Sequence, residues 1–214
     1  MFAGLSADQQ LLVMQLARPV RVGTGTQIYG PQDRETSLIV LHTGAVKTFR
    51  LSADGAEQVL RVLGPGDFTG ETAVLTGLGP QEYARAVTAS QLCAFSHHDV
   101  TELVRRHPEV GLRMLGALGR RLGEVEDRLN ALTTRDVAAR LAGYLLGLPA
   151  DWRAGTLTVA LPLPKRDIAS LLDTTPESLS RGLARLSDRG LIDVAKGTVT
   201  LLDVDGLRAT AGEE

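Results

Sequence analysis

Apolar and polar positions change their period twice along this chain of 214 residues. Residues 5–17 (LSADQQLLVMQLA) set Leu12 and Leu16 on one face behind Ser6, a good N-cap, and predict an amphipathic helix. From about 19 to 98 the apolar runs are short, at 27–29, 38–41, 45–49, 58–63, 83–88 and 91–95. Turn residues separate them: Gly23 and Gly25, Gly30-Pro31, Gly44, Asp54-Gly55, Gly64-Pro65-Gly66, and the stretch from Gly77 to Pro80. Many short strands at that spacing predict an antiparallel β-domain, with Asp54-Gly55 at a hairpin tip. Helical period returns at 98–106, with His98 or Asp99 as cap, and Pro108 opens a long helix reaching about Leu132.

In that long helix Leu115, Leu118, Leu122, Val125, Leu129 and Leu132 alternate three and four apart, the a/d spacing of a coiled-coil seam. Charged residues flank it: Arg120, Arg121, Glu124, Glu126, Asp127 and Arg128. Such a stripe either packs on its own domain or pairs with a second copy, and the regular spacing favours a parallel homodimer. Thr133 to Asp136 reads as a hinge and a new cap, followed by a helix over 136–147 and a strand over 157–160.

The strongest pattern lies at 163–192, LPKRDIASLLDTTPESLSRGLARLSDRGLI. Ile168, Leu171 and Leu172 make the stripe of one short helix. After a turn, Thr175 is an N-cap, Pro176 takes the first helical position, and Ser178 stands where a capping box would put an acid. Leu179, Leu183 and Leu186 face inward, Glu177, Ser180, Arg181 and Arg185 face the other way, and Gly190 stops the helix. Two helices joined by so tight a turn form a helix-turn-helix, whose second helix enters the DNA major groove. The outward set fits base edges: Arg181 can donate twice to guanine, Glu177 can accept from cytosine or adenine, and Ser180 is short enough for a thymine. Residues 191–194 and 198–202 bracket Ala195-Lys196-Gly197 as a hairpin, which adds a wing with Lys196 as a phosphate contact. The tail, ATAGEE, is expected to be disordered.

Composition narrows the class. The chain has 43% hydrophobic residues, no apolar run of membrane-spanning length, and no basic-then-apolar leader, so a cytoplasmic protein without membrane contact is expected. One cysteine, Cys93, excludes disulfides within the chain and multi-cysteine metal or iron–sulfur sites. Net charge is −2, yet residues 135–200 hold 9 basic and 7 acidic groups, while residues 1–110 hold 9 and 11. The small positive surplus falls where phosphates would be met.

The order of parts resembles the cAMP receptor protein / fumarate–nitrate regulator family of bacterial transcription factors over nearly the whole length. The motifs that carry the resemblance are GPGDFTGETAVL (64–75), ARAVTA (84–89), RDIASLL (166–172), TPESLSR (175–181) and RLSDRGLI (185–192). It implies an α+β protein in three parts. These are an antiparallel β-roll of the cyclic-nucleotide-binding type at 1–107, a dimerisation helix and hinge at 108–134, and a winged helix-turn-helix at 135–214. The second helix is similar to the E-x-x-S-R type of the fumarate–nitrate branch through Glu177, Ser180 and Arg181. That implies a palindrome of double-stranded DNA with TTGA-type half-sites. Lys165, Thr175, Ser178, Arg185 and Lys196 would meet the backbone, and RNA polymerase would be the partner at promoters.

The sensor half departs from the family pattern. Cyclic-nucleotide binders place an Arg-Ser or Arg-Thr about ten residues after their Gly-Glu, where the arginine pairs with the cyclic phosphate. This chain keeps Gly70 and Glu71 but has Gly79-Pro80-Gln81-Glu82 at that place, an acid and no base. Arg85 is the nearby cation, so Gly70, Glu71 and Arg85 are the candidate effector residues, and cAMP is not the expected effector. A haem sensor would need an axial ligand from His42, His97, His98, His107 or Cys93. That option stays open, although no cofactor and no metal site are expected. A regulator controlled by its own abundance, without any effector, also fits the missing arginine. A cupin-like metalloenzyme does not, because the chain has no His-x-His pair.

Overall fold

The computed structural model describes residues 13, 15–33, 37–153, 156–195 and 197–212. The chain divides inside its long helix into two units, residues 1–124 and 125–214. Most of the helix expected at 5–17, the wing-tip Lys196, and the last two residues of the tail lie outside the described residues.

In the first unit, short strands and glycine turns build two antiparallel sheets. One has the order β1 (Arg18–Val22), β8 (Ser90–Ser96), β3 (Ser37–Thr43), β6 (Phe68–Thr69). The other runs β2 (Gln27–Tyr29), β7 (Tyr83–Ala86), β4 (Val46–Leu51), β5 (Glu57–Leu63). Alternation sorts their side chains. Ile39, Leu41, Val46, Leu63, Ala84 and Leu92 fill the space inside the roll. Leu38, Phe68 and Phe95 pack instead against Val100 and Leu103 of helix α2 (His97–Arg106) and Val110, Met114 and Ala117 of helix α3 (Pro108–Thr134). Each large side chain so buried contributes about 1.5–3 kcal/mol.

Three features of this unit depart from the sequence reading. Strands β1 and β6 were not expected, because β1 (RPVRV) is charged and mostly exposed and β6 has two residues. The Gly-Glu motif opens a short helix, α1 (Glu71–Thr76). Helix α2 is capped by Ser96, not by His98 or Asp99. The Ser96 hydroxyl accepts from the Asp99 amide while the Asp99 carboxylate accepts from the Ser96 amide, a complete capping box.

The second unit starts in the last turns of α3, which runs through Thr134 and so takes in half of the expected hinge. Asp136 caps α4 (Val137–Leu146) through the Ala139 amide. A four-stranded antiparallel sheet has the order β11 (Ile192–Ala195), β12 (Thr198–Leu201), β10 (Thr156–Ala160), β9 (Ala150–Arg153), so the wing hairpin is half of a larger sheet. Helices α5 (Lys165–Leu171) and α6 (Pro176–Asp188) form the helix-turn-helix. The first three residues of the tail expected to be disordered, 209–211, end helix α7 (Val204–Ala211), which is capped by Asp203 and has Leu207 and Ala211 fully buried. Those two apolar residues, four apart, pack α7 against α4.

Candidate functional site

Helix α6 starts as its sequence dictates. Thr175 Oγ1 accepts from the Ser178 amide at 3.2 Å, and Pro176 occupies the first turn, where its missing N–H costs nothing. Ser178 does not complete a capping box. Its hydroxyl accepts from Thr175 Oγ1 at 3.1 Å and from the Arg181 guanidinium at 3.1 Å. Leu179, Leu183 and Leu186 are buried. Gly182, which the sequence reading passed over, lets α4 approach, since a Cβ there would stand 3.3 Å from Leu141 Cδ2.

On the opposite face Glu177, Ser180, Arg181 and Arg185 are exposed. Ser180 donates to the Pro176 carbonyl at 2.9 Å, which fixes its hydroxyl and leaves the oxygen free to accept. Arg185 lies 3.4 Å from the carboxylate of Asp136, itself exposed. Lys165 is exposed at the start of α5. The base-reading candidates therefore sit together on one solvent face of one helix, and the bonds that Ser180 and Arg181 make among the described residues lie within that helix.

The turn before α6 is held from outside. Asp173 has φ 49°, a left-handed conformation unusual for a residue with a side chain. Arg128 donates to the Leu171 carbonyl at 2.6 Å and to the Asp173 carboxylate at 3.0 Å. Arg140 donates to the Leu172 carbonyl at 3.1 Å and the Arg135 carbonyl at 2.8 Å. Two arginines thus satisfy carbonyls that the end of α5 leaves open.

Along α3 the stripe is only partly as expected. Leu115, Leu122 and Leu129 are 65%, 60% and 59% exposed, and Val125 is exposed as well. Leu118 instead packs on the roll's helical core and Leu132 is half-buried. Leu112, outside the expected seam, is 70% exposed. The seven-residue spacing was legible; which members turn inward depends on contacts that the sequence pattern does not show.

Inside the roll is a cavity of about 520 Å³, lined mostly by apolar groups that include Val20, Ile28, Ile39, Leu92 and Pro80, together with Tyr29 and Gly70. Gly70 is at φ 81°, and a Cβ there would stand 2.2 Å from the Ser37 carbonyl oxygen, so only glycine fits. Glu71 is in contact with Arg121 of α3. Its carboxyl is pushed up by burial, with Arg61 pulling the other way. Arg85, one of the effector candidates, is not among the described residues that line this cavity. It lies across from Lys47 on the opposite face of β7 from Ala84, which lines the core. There it pairs with Glu57 and stacks on Phe49, 4.6 Å from the ring centre.

The acid of the Gly79–Glu82 stretch has a definite partner. Tyr29 donates to Glu82 at 3.2 Å and is hydrogen-bonded to the buried Thr69. Burial and the Glu82 charge raise the Tyr29 hydroxyl well above its ordinary value. Among the described residues of the roll, buried Thr48 Oγ1, Arg61 Nη1 and Glu71 Oε2 make no hydrogen bond. Thr48 and Arg61 face each other across β4 and β5. Tyr29, Arg61, Glu82 and Arg121 were missed by sequence reasoning, because their partners lie 40 or more residues away or, for Arg61, on a strand that reads as core.

No histidine or cysteine is among the described residues lining the cavity. His97 Nδ1 is bonded to the Val74 carbonyl at 2.6 Å, His42 and His98 are exposed, and Cys93 packs toward the helices. Among the described residues no group of three or more metal-ligating side chains occurs, and no helix is long and apolar enough to cross a membrane.

A winged helix-turn-helix with an exposed acid, hydroxyl and guanidinium on its second helix defines a DNA-binding protein. The comparisons with known proteins agree. A cyclic nucleotide-binding domain model matches residues 19–107 and a Crp-like helix-turn-helix domain model matches residues 139–210. The chain is 32% identical over 207 residues to a probable transcriptional regulator, flp, of Lacticaseibacillus casei, covering 97% of this chain and 93% of that protein. It is 30% identical to the cyclic AMP receptor protein of Thermus thermophilus, with 93% and 90% covered. A solved CRP-family transcriptional regulator, also from Thermus thermophilus, superposes with a TM-score of 0.72 at 28% identity, over 90% of this chain and 96% of that one. The chain belongs to the cAMP receptor protein / fumarate–nitrate regulator family of DNA-binding transcription regulators.

Proposed function

We propose that the protein is a homodimer that reads a palindrome with TTGA-type half-sites. Arg181 reads the guanine, Glu177 the opposite strand and Ser180 the outer thymines. Lys165, Thr175, Ser178, Arg185 and Lys196 meet phosphates, and RNA polymerase is met at the promoter. The observation that carries this reading is the shared exposure of Glu177, Ser180 and Arg181 on one capped helix, over a core of three buried leucines. The exposed stripe of Leu112, Leu115, Leu122, Val125 and Leu129 supports pairing of two copies, since it leaves large side chains in water along most of one helix. Selection of bound DNA from a random pool tests the site. Arg181→Ala should then weaken the selected palindrome by about 1–3 kcal/mol per half-site and relax one base pair. Equal binding by variant and parent overturns the assignment. Leu122→Glu should shift sedimentation from dimer to monomer, and an unchanged profile removes the seam.

The signal is read in the roll, and it is not cAMP. The Glu82 carboxylate next to Tyr29 stands where a cyclic phosphate would need a cation. The unpartnered atoms of Thr48, Arg61 and Glu71 support a small polar effector, because buried polar groups are nearly always satisfied. A regulator without any effector is the second reading, and the closed Tyr29–Thr69–Glu82 network favours it. DNA binding measured with and without cAMP should not differ, and activation by cAMP overturns this part.

A further inference from the structure

The second unit holds a cavity of its own, lined by none of Glu177, Ser180 and Arg181. It measures about 320 Å³ and is walled by the last turns of α3, by α4 and by the end of α5. That volume is at the lower end of the ordinary range for small-molecule sites. Its floor is apolar, made by Ala131, Leu132, Leu171, Leu172 and the Tyr144 ring. Arg128 and Arg140 also line it, but their guanidiniums are engaged with the Leu171–Asp173 turn. Arg135 is different. It lines the cavity, is half-buried, and its guanidinium makes no hydrogen bond or ion pair with the described residues. Tyr144 is different too. Its hydroxyl oxygen is buried and has no hydrogen-bond partner among the described residues, and burial pushes its pKa up to about 12, so it remains a donor at neutral pH.

A buried hydroxyl and a guanidinium that have no partner among the described residues, lining one cavity with an apolar floor, make an arrangement with a complement. The lining carries three arginines against Asp127 and Asp173, and Asp173 is already paired with Arg128. Asp127 is exposed, so water screens it. We propose that this cavity binds a small carboxylate with an apolar or aromatic body, its carboxylate held by Arg135 and the Tyr144 hydroxyl. Such a ligand would tie the end of α3 to α4 next to the Asp173 turn, and so would bias the placement of the reading helix. The inference goes beyond the DNA-reading proposal and uses it for one readout only.

Benzoate is the probe, titrated into the full-length protein by calorimetry and by ligand-observed NMR. Saturable binding is expected, with neutral benzamide at least tenfold weaker. Tyr144→Phe and Arg135→Gln should each weaken benzoate roughly tenfold or more, as loss of a hydrogen bond to a charged group does. Arg208→Gln, on α7 and outside the lining, should leave benzoate affinity unchanged. Tyr144→Phe keeps the packing, so a folding defect in Arg135→Gln does not blunt the test. Failure of benzoate to saturate, equal binding by Tyr144→Phe, or binding of inorganic phosphate in place of benzoate each overturns the proposal. DNA affinity measured with and without benzoate gives the separate readout: a change lost in Tyr144→Phe supports the coupling. Benzoate binding that leaves DNA affinity unchanged overturns the coupling while keeping the site. Absence of DNA binding under all conditions sinks the reading proposal, not this one.

Discussion

On helix α6 the three base-reading candidates are exposed, and the bonds they make among the described residues stay within their own turn of helix, Ser180 to Pro176 and Arg181 to Ser178. In the roll the polar groups are buried and bond far along the chain, Tyr29 to Thr69 and Glu82, and Glu71 to Arg121. The contrast has a physical cause. A reading face must stay hydrated and unpaired until bases replace the water, so its geometry has to come from the helix alone. A sensing interior excludes water, so each polar atom needs a partner from another strand, or a guest. Exposed local groups tolerate substitution in folding terms and fail in function; buried distant ones do the reverse.

The largest effect that tests this contrast comes from beneath the reading face. Leu186 is fully buried under α6. Leu186→Ala should cost about 2–5 kcal/mol of stability, as large-to-small core changes do. Hydrogen exchange should show the loss in α6 and its neighbours, with protection of β3 and β8 unchanged. Equal loss in both units would show that the two share one cooperative core.

A smaller change sharpens the roll side. Tyr29→Phe removes a hydroxyl from a buried network and leaves Thr69 and Glu82 without it, at about 1–3 kcal/mol. The DNA-binding affinity of the folded protein should be unaffected. The matching change on the reading side is Thr175→Ala, which removes the α6 cap for about 1 kcal/mol. It should also weaken DNA, since the start of α6 carries Glu177. A Thr175→Ala variant with parental DNA affinity would separate the cap from the reading geometry.

The same contrast explains what could be read from the chain. The helix-turn-helix was legible to within a residue, because Thr175, Pro176, the leucine spacing and Gly190 each act within one turn of helix. Strands flanked by glycine turns were legible for the same reason. Strand β6 was not, since two residues carry no period, and α7 was masked by a composition of small residues whose burial comes from α4. Arg85 shows the limit most clearly. Its place beside a family motif marked it for the effector site, but strand alternation puts it across from Lys47 and on the far side of the sheet from Ala84. The shared exposed face of Glu177, Ser180 and Arg181 could be placed from sequence, whereas Arg61, Tyr29 and Tyr144 needed the fold, because what distinguishes them is a partner, or the lack of one.

The smallest expected effect concerns the outer face of that same sheet. Glu57 bonds both Lys47 and Arg85, and Lys47 is buried over the Phe49 ring. Partial burial alone would raise the Glu57 carboxyl, but the two cations outweigh it and hold it below the ordinary carboxylate value of 4.5. A carboxyl whose folded value is depressed stabilises the fold above its unfolded value, and that contribution is lost as pH falls through the folded one. Stability followed from pH 6 to pH 3 should therefore fall less steeply in Glu57→Gln than in the parent. Asp99 and Glu102 are also held low, by the α2 capping box and by Arg105 and Arg106, so the parent's acid loss is shared and only the difference between the two curves reports Glu57. Parallel curves would mean that Lys47 is neutralised by other partners. Glu57 would then be a surface ion pair of little consequence, and the division into buried distant and exposed local groups would need a third kind at the sheet's outer face.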